Sequence, residues 1–362
     1  MHFVVLDTAF KETAIVDYFE NAIWTDRYNK AGDFEIQLPA TQENLSIFQQ
    51  DYYLYYNNSP SLMIVEALEV ATDVEDGSIL VVTGRSLESI LDRRIAWGVR
   101  NVIGNFEERI ATLLKGDVIS PTDPNRKIPN FTHKRSTNPE ILALTVDTQF
   151  IGDPIYDAIE EVCHDLDVGF RVRPTPTNGF EFELYRGKDR SYDQTTNPYV
   201  VFSPSFDNLL NSKYYSDKST YKTCTLIAGE EKDGVRKYAT TAIASGAGTG
   251  LARREVYTDA KGTTSRDENN ENNETIDDAT YTAMLQAKGS EKLAKSYYKQ
   301  EFDGEAEPKR MFVYGEDFEI GDIVQIENEY GMTMRARITE YIQSYSAAHG
   351  LKAYPTFTAV NS

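Results

Sequence analysis

The feature that most constrains the fold of this chain is a pattern of strands and turns that occurs twice, near its two ends. In each block a short strand, a turn, a long strand, a second turn and a third strand follow one another. The first block has its strands at 52–56, 61–70 and 79–82, and the second at 323–326, from 332 to about 343 and from 351 onward. A shift of 271 positions brings Asp51, before the first block, onto Asp322, before the second. The match lies in segment lengths and turns rather than in residue identity.

A chain with two similar all-β modules can build a ring in which three copies of the chain present six similar modules. In the long strand of the first block, the alternation of side chains predicts one shared face. The residues of that face are Leu62, Ile64, Glu66, Leu68 and Val70. The region from 1 to about 85 therefore reads as β structure.

In the next region, the spacing of apolar residues changes from the alternation of strands to the spacing of helices. Ser86 is a candidate N-cap of a helix, and Asn105 with Glu108 forms a second helix start. The clearest helix begins at Pro154 and is followed by a hairpin between 170 and 184. Residues 117–140 are rich in Pro, Asn, Asp and Lys and suggest an exposed loop.

Strands resume at 199–202 and 224–228, the stretch 230–275 looks irregular, and a helix is predicted from 277 to about 300, where Gly289 could interrupt it. The predicted fold is α+β and mostly β, with two similar β-barrel-like domains, a small α/β domain and a helix-containing insertion. The expected domains are 1–85 (first β-barrel-like), 86–198 (α/β), 199–229 with 309–362 (second β-barrel-like), and 230–308 (inserted).

The chain has 57 acidic and 37 basic residues, a net charge of −20. Nonspecific nucleic-acid binding rests on Lys and Arg that displace counterions, so this charge argues against a protein that grips DNA. An acidic wall would let DNA slide past, and acidity also keeps a protein soluble. Cys163 and Cys224 are expected to be buried free thiols, as in a reducing cytoplasm. Residues 1–7 read as a strand rather than a signal peptide, and apolar stretches fall short of the roughly 20 residues that span a bilayer.

The motifs that carry chemistry are weak. The run Gly246, Gly248, Gly250 lacks the Lys-Ser/Thr ending of a phosphate loop, and Asp267-x-Asn269-x-Glu271 lacks the turn glycine of a calcium loop. The four histidines have no paired spacing, and Glu160 and Glu161 point in different directions on a helix. We therefore expect no catalytic, metal-binding or cofactor-binding residues. Tyrosine pairs such as Tyr52-Tyr53 suit a core and a subunit interface, or alternatively a carbohydrate platform.

Five blocks in order resemble one known family. They are Gly32 to Pro39, Gly84 to Ile95, Ser205 to Asn211, Gly250 to Glu255 and Gly321 to Val324. They are similar to the tail hub proteins of long-tailed, non-contractile phages of Gram-positive hosts, the N-terminal hub region of tail-associated lysozymes. That family is similar in fold to the baseplate hub of contractile tails.

The resemblance implies a structural virion protein at the tail tip, without catalytic residues. It implies a homotrimer of four-domain subunits whose ring joins the hexameric distal tail protein and tail tube, near the tape measure protein. Fibre or receptor-binding proteins are further expected partners, and DNA would pass through the channel during ejection without specific binding. Many relatives continue into a hydrolase or a fibre, whereas this chain ends at Ser362, so the resemblance implies either a fragment or a short hub.

Two other functions stay open at this point. One is a carbohydrate-binding adhesin, and the other is the non-catalytic part of a peptidoglycan hydrolase. In the hub interpretation, the strands expected to form interfaces are Tyr52–Tyr56 and Met332–Tyr341.

Overall fold

The computed structural model describes residues 1–73, 77–232, 234–243, 249–263, 277–306 and 311–360. The strands are β1 Phe3–Leu6, β2 Glu12–Val16, β3 Asn21–Arg27, β4 Asp33–Pro39, β5 Tyr53–Tyr55, β6 Leu62–Asp73, β7 Gly77–Ser86, β8 Val99–Asn105, β9 Phe131–Lys134, β10 Thr145–Ile151, β11 Gly169–Pro174, β12 Phe180–Tyr185, β13 Val201–Phe202, β14 Leu209–Asp217, β15 Cys224–Lys232, β16 Val235–Ala242, β17 Glu255–Asp259, β18 Lys299–Ala306, β19 Ile323–Glu327, β20 Thr333–Ser346 and β21 Gly350–Ala359. The α-helices are α1 Gln42–Ile47, α2 Phe106–Leu114, α3 Pro139–Leu142, α4 Ile155–Asp165 and α5 Asp278–Ala294. Among the described residues, strands make up 45% and helices 21%, which confirms the predicted α+β, mostly β class.

The chain divides into two compact units. Unit 1 comprises 1–213 and 302–362, and unit 2 comprises 214–301, so the boundary falls within β14 and β18. The finer four-part division stays a prediction. Among the described helices, none is both long and apolar enough to span a bilayer.

One large sheet dominates unit 1. Its strands follow the order β14-β18-β21-β20-β3-β4-β7-β6-β5-β1-β2, and β19 with β13 joins it at β20. The described strands close no barrel. The path instead ends at two edge strands, β14 and β2.

The repeat seen in the sequence is present in the strand pairing. In the hairpin β6–β7, residues 63–73 lie opposite 86–77, and in β20–β21, residues 336–346 lie opposite 359–350. Adding 273 to each number of the first hairpin gives the second, including the position of the β-bulge, which lies between 65 and 67 and between 338 and 340.

The predicted shift of 271 was two residues too small for this hairpin. Tyr53 of β5 pairs with Ile64 of β6, eleven residues later, whereas Ile323 of β19 pairs with Arg337 of β20, fourteen residues later. The first strands of the two blocks therefore match at a shift of 270 and the hairpins at 273. No single shift aligns all three strands.

The neighbouring strands repeat as well. The first half-sheet (β3–β7) has the order β5-β6-β7-β4-β3, and the second half-sheet (β14 and β18–β21) has the order β19-β20-β21-β18-β14. Counted along the chain, both orders are third, fourth, fifth, second, first. Unit 2 is inserted between the first and second strands of the second half-sheet.

The bulge in β6 corrects the predicted shared face of that strand. Leu62 and Ile64 belong to the core that surrounds the helices, whereas Leu68, beyond the bulge, packs against the other core, around Trp24. An extra residue in one strand shifts the alternation of side chains by one, and a local sequence pattern does not show where this happens.

The two matching hairpin turns end at glycines with the same backbone conformation. Gly77 has φ +86° and Gly350 has φ +70°, and in both an added Cβ would meet no atom within 4 Å. Alanine at either position should therefore lower the free energy of unfolding by about 1–2 kcal/mol, through backbone strain alone. Gly116, whose added Cβ also has open space and whose φ is not positive, is the control. Urea unfolding curves of G77A, G350A and G116A test this, and equal curves for all three would contradict it.

The α/β part of unit 1 packs α2 and α4 against β9, β11 and β12. Its core includes Phe106, Ile159, Cys163, Phe170 and Phe182. The predicted hairpin is present as β11–β12. The Asn105 side chain accepts a hydrogen bond from Glu108 N, as expected for the N-cap of α2.

Two expectations about this part were wrong. Residues 117–140 are not one exposed loop, since Asp117 is fully buried and β9 pairs in parallel with β12. Ser86 does not cap an α-helix: a 3₁₀ helix follows at Leu87–Arg93, and the Ser86 hydroxyl accepts a hydrogen bond from Gly32 N instead. Both outcomes depend on partners far along the chain, which local patterns do not reveal.

Unit 2 is a three-stranded sheet, β16-β15-β17, with α5 against it. The stretch 230–275 is thus less irregular than expected, since it contributes β16 and β17. The predicted helix is present, and Gly289 does not interrupt it. An added Cβ at Gly289 would lie 2.7 Å from Ile227 Cδ1, so this glycine lets α5 approach the sheet.

Candidate assembly interface

The two half-sheets are joined edge to edge by one pair of strands. β20 pairs antiparallel with β3, from Glu340 opposite Arg27 to Ser346 opposite Asn21. In chain order, β20 is the fourth strand of its half-sheet and β3 is the first strand of the other. We call this pair of strands the joint.

A buried carboxylate lies at the joint. Asp26 on β3 is 1% exposed. Its Oδ1 accepts a hydrogen bond from Ser59 Oγ at 2.8 Å, and its Oδ2 accepts one from Tyr314 OH at 3.1 Å. Tyr341, opposite Asp26 on β20, stacks on Tyr314 with ring centroids 4.2 Å apart. Burial raises the pKa of Asp26 above its ordinary value of 3.8, and hydrogen bonds from Ser61, Ser59 and Tyr314 oppose this only in part.

Replacing Asp26 with asparagine should therefore remove a pH dependence from the stability of unit 1. Because the folded-state pKa lies above the ordinary value, the carboxyl group stabilises the fold fully below pH 3.8, and this contribution is lost as pH rises through the folded-state pKa. Asp26→Asn is uncharged throughout. Its free energy of unfolding should change less than that of the wild type between about pH 4 and about pH 7.

The test is urea unfolding at several pH values, followed by tryptophan fluorescence. Both tryptophans, Trp24 and Trp97, lie in unit 1, so the signal reports on that unit. Asp33→Asn, at a side chain that is 47% exposed, is the control. The same pH dependence in the wild type and Asp26→Asn would contradict the assignment.

A charged pair crosses the joint at one end. Arg27 Nε donates to Glu340 Oε1 across the two strands at 2.7 Å, and Arg27 Nη1 donates to Asp33 Oδ2 at 3.0 Å. Arg337 Nη2 donates to Asp167 Oδ2 at 2.7 Å, and its guanidinium lies 4.9 Å from the ring centroid of Tyr28. Of these bonds, the one between Arg27 and Glu340 crosses the two strands, and its specific geometry helps to set the register of β3 against β20.

The strands expected to form interfaces are largely used within the chain. β5, inside the range Tyr52–Tyr56, has β1 on one edge and β6 on the other. Tyr56 and Tyr341 are 2% exposed, whereas Tyr55 is 43% and Met332 48% exposed. Contacts of these exposed side chains with another chain stay a prediction.

Among the described residues, two further open strand edges belong to the half-sheets. β6 pairs with β5 only through residues 62–64, so its outer edge from Ala67 to Asp73 has no partner strand. β14 is a terminal strand of the sheet, so its outer edge is open as well. Sequence reasoning missed both edges, although the length difference between the short and the long strand of the first block was a usable signal.

The weak chemical motifs do not come together in the part of the chain that the structure describes. Gly246 and Gly248, as well as 267–271, lie outside the described residues, and Gly250 begins a 3₁₀ turn. Across the described ranges, no group of three or more His, Cys, Asp or Glu side chains is arranged to hold a metal ion. Glu160 forms an ion pair with Lys30, 3.3 Å away.

The histidines and cysteines occupy separate places. His133 Nε2 lies 3.5 Å from Glu107 Oε1, and burial, with a smaller contribution from Arg135, lowers the pKa of His133 to about 4. His164 is exposed and lies 3.3 Å from the Asn29 side-chain amide. Cys163 and Cys224 are buried and free, which confirms the expectation for both thiols.

The tyrosine pairs of unit 2 have polar partners within that unit. The hydroxyl groups of Tyr298 and Ser216 lie 2.7 Å apart, and Gln300 Nε2 donates to Tyr214 OH at 2.8 Å. Lys218 Nζ lies 4.4 Å from the ring centroid of Tyr298. Carbohydrate binding by these rings stays a prediction.

A family model described as Siphovirus ReqiPepy6 Gp37-like protein matches residues 2–357. No curated protein matches the chain.

Solved structures show the same fold at low sequence identity. The chain is similar to the 43 kDa tail protein of prophage MuSo2 from Shewanella oneidensis, with a TM-score of 0.60 and 12% identity over 99% of this chain and 98% of that chain. It is similar to the tail protein from Neisseria meningitidis MC58, with a TM-score of 0.58 and 12% identity over 98% and 96%. For prophage tail protein gp18 from Listeria monocytogenes EGD-e, the TM-score is 0.54 and the identity 14% over 98% and 94%. At these identities the likeness shows the fold alone.

Proposed function

The chain belongs to the family of siphovirus ReqiPepy6 Gp37-like proteins, and on that premise we propose that it is a structural hub of a phage tail tip. Three copies form a ring that joins a sixfold tube, or the distal tail protein at its end, to the tip. Its work is geometric, and it carries out no reaction.

The internal repeat is the observation that supports this proposal most directly. Two half-sheets share one strand order, and their central hairpins share one register and one bulge position. They are joined through single edge strands rather than packed face to face. Three such chains would offer six similar surfaces, which fits a sixfold partner on one side and a threefold tip on the other.

The charge is consistent with a channel through which DNA leaves. The net charge of −20 gives no general affinity for phosphate backbones. A wall of this sign favours sliding over binding, so we propose that DNA passes without specific contacts. The tape measure protein and fibre or receptor-binding proteins are further proposed partners, from the family resemblance.

A mass measurement tests the ring. Light scattering on the purified chain should give about 123 kDa at high protein concentration, for three chains of 41.0 kDa, with dissociation on dilution because assembly follows mass action. Electron micrographs of the same sample should show a ring with a central hole.

A compact monomer at every concentration, with no ring in the micrographs, would contradict the proposal. Binding of the monomer to a glycan array would then favour the adhesin alternative. A cleared band in a zymogram with peptidoglycan would favour the hydrolase alternative.

A further inference from the structure

We propose that the open edge of β6 in one copy pairs antiparallel with the open edge of β14 in a second copy. This inference rests on the proposed ring and names the strands that close it. The occupant of each edge is thus another molecule of the same chain.

The joint inside the chain is the template. Residues 340–346 of β20 pair with β3, and subtracting the hairpin shift of 273 places this segment on residues 67–73 of β6. β3 is the first strand of the first half-sheet, and β14 is the first strand of the second. The step from β20 to β3 within a chain therefore corresponds to a step from β6 to the next copy's β14.

The backbone groups of β6 point the right way for this pairing. Ala40 N donates to Ser78 O, so Ser78 directs its carbonyl towards β4 and away from β6. Thr72 and Ser78, which lie opposite each other, therefore exchange no backbone hydrogen bonds. The N–H and C=O of Thr72 face the open edge instead. By alternation the same holds for Val70 and Leu68.

The equivalent residues of β20 already use this edge. Tyr341, Gln343 and Tyr345 correspond to Leu68, Val70 and Thr72, and all three pair with β3. Within the described residues, no strand covers the N–H and C=O groups of Leu68, Val70 and Thr72, and such an edge is an exposed template for another strand. The equivalent segment of β20 in the same molecule pairs with β3, the first strand of the other half-sheet.

Burial separates the two equivalent segments. Gln343 is 3% exposed and its side-chain amide is hydrogen-bonded to Tyr56 and Asn58, whereas Val70 is 49% exposed. On the other edge, Leu210 of β14 is 42% exposed. Glu69 on β6 and Lys213 on β14 are both exposed and of opposite charge, which favours pairing between the two edges over self-pairing of either one.

The contact joins two different edges, so it is heterologous. Adding one copy through its β14 leaves that copy's β6 open for the next, and the series ends only when the ring closes. Each chain contributes two half-sheets and one internal joint, so a closed trimer has three internal joints and three contacts between copies.

Val70→Pro tests the pairing directly. Proline removes the N–H that points to the open edge, a change that an edge strand tolerates within its own sheet. The variant should fold as the wild type does, while the concentration at which the oligomer dissociates rises at least about tenfold. Val70→Ala keeps the N–H and is the matched control, with a smaller rise.

Cysteine pairs provide a second readout that does not depend on proline. Val70→Cys combined with Ser212→Cys or Lys213→Cys should give interchain disulfides under mild oxidation, in a ladder that stops at three chains. The single Cys variants should give no such ladder.

The outcomes separate the two proposals. A wild-type ring whose mass is unchanged by Val70→Pro, and that forms no cross-links in either double variant, overturns the edge pairing and leaves the hub proposal standing. A wild-type protein that stays monomeric contradicts the hub proposal, and without the cross-linked ladder the edge pairing fails with it.

Discussion

Asparagine in place of Asp322 is expected to lower the free energy of unfolding of unit 1 by about 3–5 kcal/mol. The Asp322 carboxylate is 2% exposed and accepts hydrogen bonds from Arg190 Nε at 2.6 Å, Lys188 N at 2.6 Å and Glu319 N at 3.1 Å. Arg190 is itself 8% exposed. Neutralising Asp322 leaves this buried guanidinium without its counter-charge, which is the costly way to break a buried pair.

Asp51, a second aspartate in an ion pair, is the control. The shift of 271 predicted from the sequence places Asp51 on Asp322, but Asp51 pairs with Arg93 at the surface, with side chains 60% and 50% exposed. Asp51→Asn should cost no more than about 1 kcal/mol, because exposed ion pairs contribute little and asparagine tolerates the positive φ of this position. Urea unfolding followed by tryptophan fluorescence measures both variants. Similar losses for the two would mean that burial does not govern the strength of these pairs.

Local sequence patterns predicted the hairpins of this protein well. The alternation of apolar residues and the turn glycines located β6–β7 and β20–β21, since the side chains and turns of a hairpin are neighbours along the chain. The family resemblance is confirmed by the family match and the tail-protein fold. Both results rest on local sequence patterns and on the order in which they follow one another along the chain.

What the sequence did not reveal depends on partners far along the chain. The pairing of β9 with β12 brings Phe131 beside Phe180, and the joint brings Arg27 beside Glu340. The sequences of these strands do not show which strand each one pairs with, because an alternation of apolar residues is compatible with many neighbouring strands. The open edge of β6 was missed for the same reason: whether a strand edge is covered depends on where the other strands end.

The largest loss of packing is expected from Trp24→Ala. Trp24 lies on β3 with no exposed surface, and its ring is 5.6 Å from that of Phe3, 5.7 Å from Tyr56 and 5.8 Å from Phe34, measured between centroids. Removing a buried aromatic side chain from such a cluster lowers the free energy of unfolding by about 3–5 kcal/mol, through lost burial and the cavity left behind. Trp97 remains as the fluorescent probe of unit 1.

Ile23, the preceding residue on β3, makes the matched comparison. Its side chain points to the other face of the sheet and is 42% exposed, so Ile23→Ala should cost about 1 kcal/mol or less. Both variants keep the backbone ladder between β3 and β20. A large difference between them therefore assigns the stability of β3 to the aromatic core beneath it. Equal and small losses would instead mean that the backbone hydrogen bonds between β3 and β20 stabilise β3, and that the joint does not depend on the aromatic core.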